Sequence, residues 1–229
     1  MNIYALSDPH LSGARPKTMD IFGGHWQDHD KRICYNWQMQ VDPEDYVLLP
    51  GDISWAMTLA DAKVDLDWIG GLPGRKVLLR GNHDYWWGSI SQVRGALPEG
   101  MYALQNDCLP LDGQRVLCGT RGWTCPSAQE FSDQDRKIYL REVQRLELSL
   151  KEGAKHGLPI LVMMHYPPFN ERQQPSGFTE LIEAYGVDTV IYGHLHGPSL
   201  KSAFEGELRG VRYHLVSCDY LNFSPKKLF

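Results

Sequence analysis

Short apolar runs alternate with longer amphipathic stretches along the chain. Seven runs have the length and branched-residue content of buried strands: Ile3–Leu6, Val47–Leu49, Val77–Leu79, Val116–Cys118, Ile160–Met164, Val190–Tyr192 and Tyr213–Val216. Five stretches carry apolar residues at helical spacing: Asp28–Val41, Leu59–Ile69, Ser89–Leu97, Asp133–Leu150 and Phe178–Tyr185. This alternation predicts an α/β fold with largely parallel strands in its first half. The closer spacing after Tyr192 suggests antiparallel pairing near the C-terminus.

The chain has 229 residues, of which 42% are hydrophobic, and this is enough to bury a substantial core. It shows no internal repeat and no stretch of linker composition, so we expect a single domain over residues 1–229. Two segments, Ser12–Gly24 and Trp123–Asp133, are expected to be long loops, which in compact domains are often functional.

Charge and cysteine content narrow the possible partners and the location. The formal net charge is -5, which disfavours a general attraction to nucleic acid or to anionic membranes. No apolar run approaches the roughly 20 residues that a membrane helix needs, and the N-terminus lacks the pattern of a signal peptide. The five cysteines are dispersed and form no C-x-x-C pair, so we expect reduced thiols and a cytoplasmic protein. The oligomeric state is not predicted.

Polar side chains that can bind metals follow five of the predicted strands. They occur in Ser7-Asp8-Pro9-His10, Gly51-Asp52, Gly81-Asn82-His83-Asp84, His165 and Gly193-His194-Leu195-His196. Because sites in open α/β sheets form at the carboxyl ends of strands, these side chains are expected to converge at one edge.

Seven of these residues form a candidate metal-binding set: Asp8, His10, Asp52, Asn82, His165, His194 and His196. Seven ligands are too many for one ion that must also bind water or substrate, and they suit two ions that share a carboxylate. Nitrogen and oxygen donors without thiolate fit manganese, iron, zinc, cobalt or nickel.

The five blocks, in this order, resemble the calcineurin-like metallophosphoesterase superfamily over Asp8 to His196. The resemblance implies a two-sheet β-sandwich flanked by helices (α/β/β/α). It implies that Asp8, His10 and His196 bind one metal and that Asn82, His165 and His194 bind the other. It also implies that Asp52 bridges both metals and that His83 gives a proton to the leaving oxygen.

The implied activity is hydrolysis of a phosphomonoester or phosphodiester by a hydroxide that bridges the two metals. The expected substrate is a small phosphorylated molecule or a nucleotide. Two alternatives stay open, namely an inactive scaffold of the same fold and a nuclease, and the acidic balance of the chain disfavours the nuclease.

One departure from the family affects the catalytic residues. Protein phosphatases of the superfamily continue the second block as G-D-x-x-D-R-G, whereas this chain reads Gly51-Asp52-Ile53-Ser54-Trp55-Ala56. The aspartate that would orient His83 is therefore absent, which favours a small substrate over a phosphoprotein. Either Asp84 takes that role or His83 is oriented differently.

Arg80 and Arg121 are candidates for holding the substrate phosphate through forked hydrogen bonds. A structural ion pair is the alternative for Arg80. Trp55, Trp86 and Trp87 follow the metal-binding blocks, and they either form an aromatic wall of the site or pack against the helices.

Overall fold

The computed structural model describes residues 1–127 and 131–229. The strands are β1 (Ile3–Ala5), β2 (Tyr46–Leu49), β3 (Arg75–Leu78), β4 (Met101–Ala103), β5 (Cys108–Leu111), β6 (Arg115–Thr120), β7 (Ile160–Met164), β8 (Thr189–Tyr192), β9 (Gly206–Leu208), β10 (Val211–Leu215) and β11 (Lys226–Lys227). The α-helices are α1 (His29–Gln38), α2 (Leu59–Gly70), α3 (Ile90–Ala96), α4 (Asp133–Ala154) and α5 (Gly177–Ala184). Part of the predicted loop Trp123–Asp133, residues 128–130, lies outside the described residues.

Polar caps fix where the helices begin. The Thr58 side chain accepts a hydrogen bond from the backbone of Asp61 at the start of α2. Ser89 and Ser132 form capping boxes at the starts of α3 and α4. Each cap satisfies a backbone N–H that the first helical turn leaves unpaired.

The strands form two sheets, whose orders are β11-β1-β2-β3-β4 and β5-β6-β7-β8-β10-β9. Neighbouring strands inside each sheet are parallel, while β11, β5 and β9 pair antiparallel at sheet edges. All parallel strands therefore point their carboxyl ends towards one end of their sheet.

The two sheets pack face to face, with helices on both outer faces. Successive residues of β1 and the residue after it alternate between layers. Ile3 and Ala5 contact the core between the sheets, and Tyr4 and Leu6 join the core beneath the helices. Because both faces of each sheet are covered, the central strands are continuous apolar runs rather than alternating ones. The α/β/β/α sandwich expected from the sequence is confirmed.

The antiparallel pairing expected near the C-terminus is confirmed in part. β10 pairs antiparallel with the short strand β9, and β11 pairs antiparallel with β1, whereas β10 pairs in parallel with β8. Lys226 and Lys227 form β11 against the outer edge of β1. A polar edge strand of this kind covers the unpaired backbone groups of β1.

The sheets touch at the end where the parallel strands terminate. Just beyond β1 and β10, Ser7 and Ser217 form a short parallel bridge. The Ser7 N–H donates to the Val216 carbonyl at 2.7 Å, and the Cys218 N–H donates to the Ser7 carbonyl at 2.9 Å. This bridge brings the chain segments after both strands side by side. None of the helices within the described ranges is both long and apolar enough to span a bilayer.

Candidate metal centre

The seven donor residues predicted from the sequence meet at one end of the two sheets. Each follows the carboxyl end of a parallel strand: β1, β2 and β3 in one sheet, β7 and β8 in the other. Donor atoms of Asp8, His10 and His196 lie within 4.8 Å of one another, as do those of Asp8, Asp52 and His165.

Asn82 and His194 complete the cluster on the side of His165. The Asn82 Oδ1 atom lies 2.7 Å from His165 Nε2 and 2.9 Å from His194 Nδ1. Asp52 lies between the two halves, because its Oδ2 is 3.7 Å from His10 Nε2 and its Oδ1 is 3.5 Å from His165 Nε2.

The backbone is strained where it presents these donors. Asp8, His10, Asp52 and His194 all have positive φ, between 46° and 72°, a region that side-chain-bearing residues rarely adopt. Backbone bonds hold the conformation: Asp8 N–H donates to the Gly51 carbonyl at 3.0 Å, and His10 N–H donates to the Asp52 carbonyl at 3.1 Å. Such strain is found where function fixes a geometry.

Two glycines allow the chain segments that carry the donor residues to lie close together. A Cβ on Gly81 would overlap the Asp52 carboxylate, and a Cβ on Gly193 would overlap the side chains of Ser7 and Asp8. Both glycines are therefore needed for the carboxylates to lie where they do.

The hydrogen bonds of two histidines fix which ring nitrogen is free. His165 Nδ1 lies 2.9 Å from the Pro50 carbonyl and His196 Nδ1 lies 2.8 Å from the Asp219 carboxylate, so each Nδ1 donates a proton. In neutral rings the Nε2 atoms then carry lone pairs directed into the cluster. The Asp219 contact also orients the His196 ring, as partners of metal-binding histidines generally do.

The cluster fits a cation on the chemistry of its donors. The lone pair of His165 Nε2 faces the oxygen of Asn82 with no proton to place between them. His10 Nδ1 and His196 Nε2 are buried and have no hydrogen-bond partner in the described part of the chain. Buried polar atoms without partners are costly, and a bound cation would engage these lone pairs.

The titration of the carboxylates agrees with this interpretation. Burial opposes ionisation of Asp8, but the His196, His165 and His10 rings outweigh it, so its pKa lies below its usual range. Burial and the charge of Asp8 raise the pKa of Asp52. Because metal binding displaces protons from its ligands, a cation would remove this conflict.

The pKa values of His194 and His196 are also shifted in opposite directions. Burial and the neighbouring His165 lower the pKa of His194 to about 3. For His196, burial acts in the opposite direction to Asp8 and Asp219, and these carboxylates raise its pKa to about 10. Without a cation this ring therefore carries a proton on Nε2, which a bound metal would displace.

His83 lies beside the cluster but outside it. Its backbone N–H donates to Asp52 Oδ1 at 2.8 Å, whereas its ring packs against Trp55, with 4.5 Å between the ring centres. The ring is partly exposed, and its Nδ1 lies 3.2 Å from the Tyr85 hydroxyl. Burial, followed by the charges of His165 and Lys17, lowers the pKa of His83.

Of the two alternatives for His83, the contacts of Asp84 favour a ring that is oriented by other residues. Asp84 is fully buried, and its carboxylate accepts hydrogen bonds from the backbone N–H groups of Ile53 (2.8 Å) and Gly81 (2.7 Å). It also accepts one from the Trp86 indole at 2.9 Å. Asp84 therefore joins the segments that carry Asp52 and Asn82, and the adjacent His83 ring points elsewhere.

The side chains of Arg80 and Arg121 do not join the donor cluster. Both line a neighbouring cavity, and Arg121 Nη2 lies 3.5 Å from Glu142 Oε1. The Arg121 guanidinium also lies over the Trp123 ring, 4.9 Å from its centre.

The three tryptophans divide between the two proposed roles. Trp86 and Trp87 are buried in the core under the helices. Trp55 stacks on His10, with 4.9 Å between ring centres, and forms a wall of the site.

Two residues near the site were missed by the sequence reasoning. Asp219 follows β10, and applying the strand-end rule to that strand would have found it. Lys17 lies in the loop before α1 with its Nζ 3.2 Å from the centre of the Trp55 ring. The sequence does not predict this position of Lys17, because nothing distinguishes it from any other lysine in a polar loop.

The chain was compared with solved structures. It resembles the phosphopantetheinyl hydrolase PptH of Mycobacterium tuberculosis with a TM-score of 0.60 and 14% identity, covering 100% of this chain and 95% of the other. It also resembles protein AQ665 of Aquifex aeolicus, with a TM-score of 0.51 and 16% identity, covering 99% of this chain and 95% of the other. TT1561 of Thermus thermophilus has a TM-score of 0.52 and 14% identity, with 84% of this chain and 80% of the other covered. At these identities the similarity establishes the fold alone.

Comparison with sequences gives shorter matches to curated proteins and one long family match. The Gene 66 proteins of Mycobacterium phages D29 and L5 are 39% and 34% identical over 83 residues, 36% of this chain. The match spans about two fifths (40%) of the length of these relatives. The model of the calcineurin-like phosphoesterase family matches residues 1–198. With most of its length matched and the family's layered fold present, the chain belongs to the calcineurin-like phosphoesterases, a family of metal-dependent enzymes.

Proposed function

We propose that the chain is a phosphoesterase that uses two metal ions to hydrolyse a small phosphomonoester or phosphodiester. The observation that carries the proposal is the convergence of seven oxygen and nitrogen donors at the touching ends of both sheets. Folding alone does not require such a cluster, because its strained backbone and unpaired buried nitrogens reduce stability.

The donors divide into two sets around Asp52. Asp8, His10 and His196 would hold one cation, and Asn82, His165 and His194 would hold the other. Asp52 faces histidines of both sets, which suits a bridging carboxylate. The mixture of imidazole and carboxylate donors fits manganese, iron, zinc, cobalt or nickel.

When bound, such a metal pair supplies Lewis acidity, since it lowers the pKa of a coordinated water and neutralises charge on the phosphoryl oxygens. The chain's own residues orient the substrate and move protons. His83 lies beside Asp52 at the surface of the cluster, where its ring can donate a proton to the departing alkoxide. Lys17 adds a positive charge over Trp55, on the same side, and is placed to attract the phosphate.

A small substrate fits the sequence better than a phosphoprotein. The second aspartate and the arginine of the protein-phosphatase block G-D-x-x-D-R-G are absent. The net charge of -5 also disfavours a nucleic acid substrate.

The five cysteines are all free thiols, which supports the proposed cytoplasmic location. We also propose that residues 1–229 form one domain.

The test is hydrolysis of p-nitrophenyl phosphate and bis-p-nitrophenyl phosphate by purified protein supplied with manganese. We expect turnover of at least one ester, inhibition by chelators, and no degradation of DNA or RNA. Asp52→Ala should abolish turnover because it removes the bridge, while Asp67→Ala, which changes an exposed ion pair with Lys63, should not. If neither ester is hydrolysed when manganese, iron, zinc, cobalt and nickel are each supplied in turn, the proposal is wrong.

A further inference from the structure

A cavity of about 240 Å³ opens at the same end of the sheets as the donor cluster. It lies where β3, β4 and β6 end, and its polar walls are Arg80, Gln105, Asn106, Arg121, Glu142 and Arg145. The cavity adjoins the cluster through the backbone. Arg80 precedes Asn82 by two residues, so their Cα atoms are at most about 7 Å apart. The carbonyl of Arg121 accepts the His165 N–H at 3.2 Å.

Positive charge exceeds negative charge on the walls of this cavity. Three guanidiniums face one carboxylate, that of Glu142, which is only 1% exposed. Glu142 Oε1 is 2.7 Å from Arg145 Nη1 and 3.5 Å from Arg121 Nη2, and its Oε2 accepts the Thr120 hydroxyl at 2.8 Å. The carboxylate is therefore engaged by these partners, which leaves about two positive charges on the walls without a counter-ion in the part of the chain that the structure describes.

Arg80 is the guanidinium without a partner. Among residues 1–127 and 131–229 it forms neither an ion pair nor a hydrogen bond, and its buried Nε has no acceptor. In the described part of the chain the buried Nε of Arg121 also lacks an acceptor. Unpaired donors and neighbouring like charges are unfavourable without an anion.

We propose that this cavity binds a second phosphate group of the substrate, so that the enzyme acts on small phosphoesters that carry two phosphates. Guanidiniums present forked donors that match the oxygens of a phosphate, and the amides of Gln105 and Asn106 add further polar contacts. The cavity volume of about 240 Å³ far exceeds the roughly 10–15 Å³ that one water requires, so a phosphate group with accompanying waters can fit. This inference rests on the proposed function and specifies its substrate class.

The substrate test uses α,ω-alkanediol bisphosphates of increasing chain length beside the matching monophosphates, with the manganese-loaded enzyme. We expect at least one bisphosphate to have a kcat/KM about tenfold or more above that of its monophosphate. Arg80→Gln should reduce this preference about tenfold. Arg141→Gln is the matched control, because Arg141 lies 3.8 Å from Glu142 and is 53% exposed but is not among the cavity walls. It should leave the preference unchanged.

A binding test does not depend on turnover. Inorganic phosphate is titrated calorimetrically into the full chain after chelation of metals, with its fold checked by circular dichroism. We expect binding that Arg80→Gln weakens about tenfold and Arg141→Gln does not. Because Arg80→Gln removes no ion pair or hydrogen bond with any other described residue, the variant should fold normally.

The outcomes separate this inference from the proposed function. Equal kcat/KM for bisphosphates and monophosphates would overturn the substrate class, even if free phosphate binds the cavity. Phosphate binding that is unaffected by Arg80→Gln would overturn the site itself. Absence of all hydrolysis would contradict the proposed function. The calorimetric titration would still show whether the cavity binds phosphate through Arg80.

Discussion

His83 is the residue at which metal binding and proton transfer can be separated. Only its backbone N–H contacts Asp52, and its ring lies against Trp55 rather than among the donor atoms. We therefore expect His83→Ala to keep both metals and to lower kcat by about 10²–10⁴.

Metal content by mass spectrometry and kcat for p-nitrophenyl phosphate measure this expectation. His156→Ala, at an exposed position, is the control and should match the wild type in both. Loss of metal from His83→Ala would show that the ring is a ligand.

Asp219 is expected to strengthen metal binding through its hydrogen bond with His196. Its carboxylate accepts the Nδ1–H of His196 at 2.8 Å and the Gly197 N–H at 3.3 Å. Asp219→Asn should weaken binding of one metal about 10–100-fold, because the His196 ring loses its orientation and basicity. Calorimetric titration with manganese measures the affinity. Asp112→Asn, which changes a partly exposed ion pair with Arg75, should not alter it, and equal affinities in both variants would refute the role of Asp219.

At the residue scale, sequence spacing predicts which side chains gather but not where each points. The seven donors each follow an apolar run within a few residues, and the sheet brings these strand ends together. Asp84 follows the same strand, yet its carboxylate turns towards backbone N–H groups that no pattern marks. Contacts of Asp219 and Lys17 depend on loop paths, which local sequence does not determine.

At the scale of elements, one carboxylate connects β11 of one sheet with β10 of the other. Glu205 accepts hydrogen bonds from Lys226 in β11 (2.7 Å), from the Leu215 N–H in β10 (2.8 Å) and from the His214 ring, Nδ1 at 2.8 Å. Burial would raise the pKa of Glu205, but these partners outweigh it and lower the pKa below its usual value of 4.5. The contribution to stability is therefore present above pH 4.5 and is lost as the pH falls through the lowered value.

Glu205→Gln should accordingly reduce the free energy of unfolding by about 1 kcal/mol at neutral pH. The difference from the wild type should shrink as the pH falls below 4.5 and through the lowered pKa of Glu205. Urea unfolding over a series of pH values from neutral to acidic measures it, with the exposed Glu207→Gln in β9 as the control. A difference that does not depend on pH would contradict the assigned ion pair.

The elements that the sequence predicts are the ones that bury a face. The strands β1, β2, β3, β6, β7 and β8 are apolar because both sheet faces are covered, and they are predictable for that reason. β10 instead alternates buried residues with more exposed ones, which is also a strand pattern. β11 escapes prediction because two lysines at a sheet edge form backbone hydrogen bonds without burying apolar side chains. The direction of β10 depends on a crossover through the segment after β8, which periodicity does not encode.

At the scale of the whole molecule, the proposed metal pair would add to the contacts between the two sheets, which also meet through apolar packing, the bridge between Ser7 and Ser217, and the hydrogen bonds of Glu205. Asp8, His10, Asp52 and Asn82 come from one sheet, while His165, His194 and His196 come from the other. A ligand that binds only the folded state stabilises it by mass action. Bound metal should therefore stabilise the contact between the sheets as well as supply chemistry.

Anomalous X-ray diffraction from crystals of the manganese-loaded protein tests the central claim most directly. We predict two peaks about 3.5–4 Å apart, one beside Asp8, His10 and His196 and the other beside Asn82, His165 and His194, with Asp52 between them. A single peak, or peaks away from these side chains, would contradict the account.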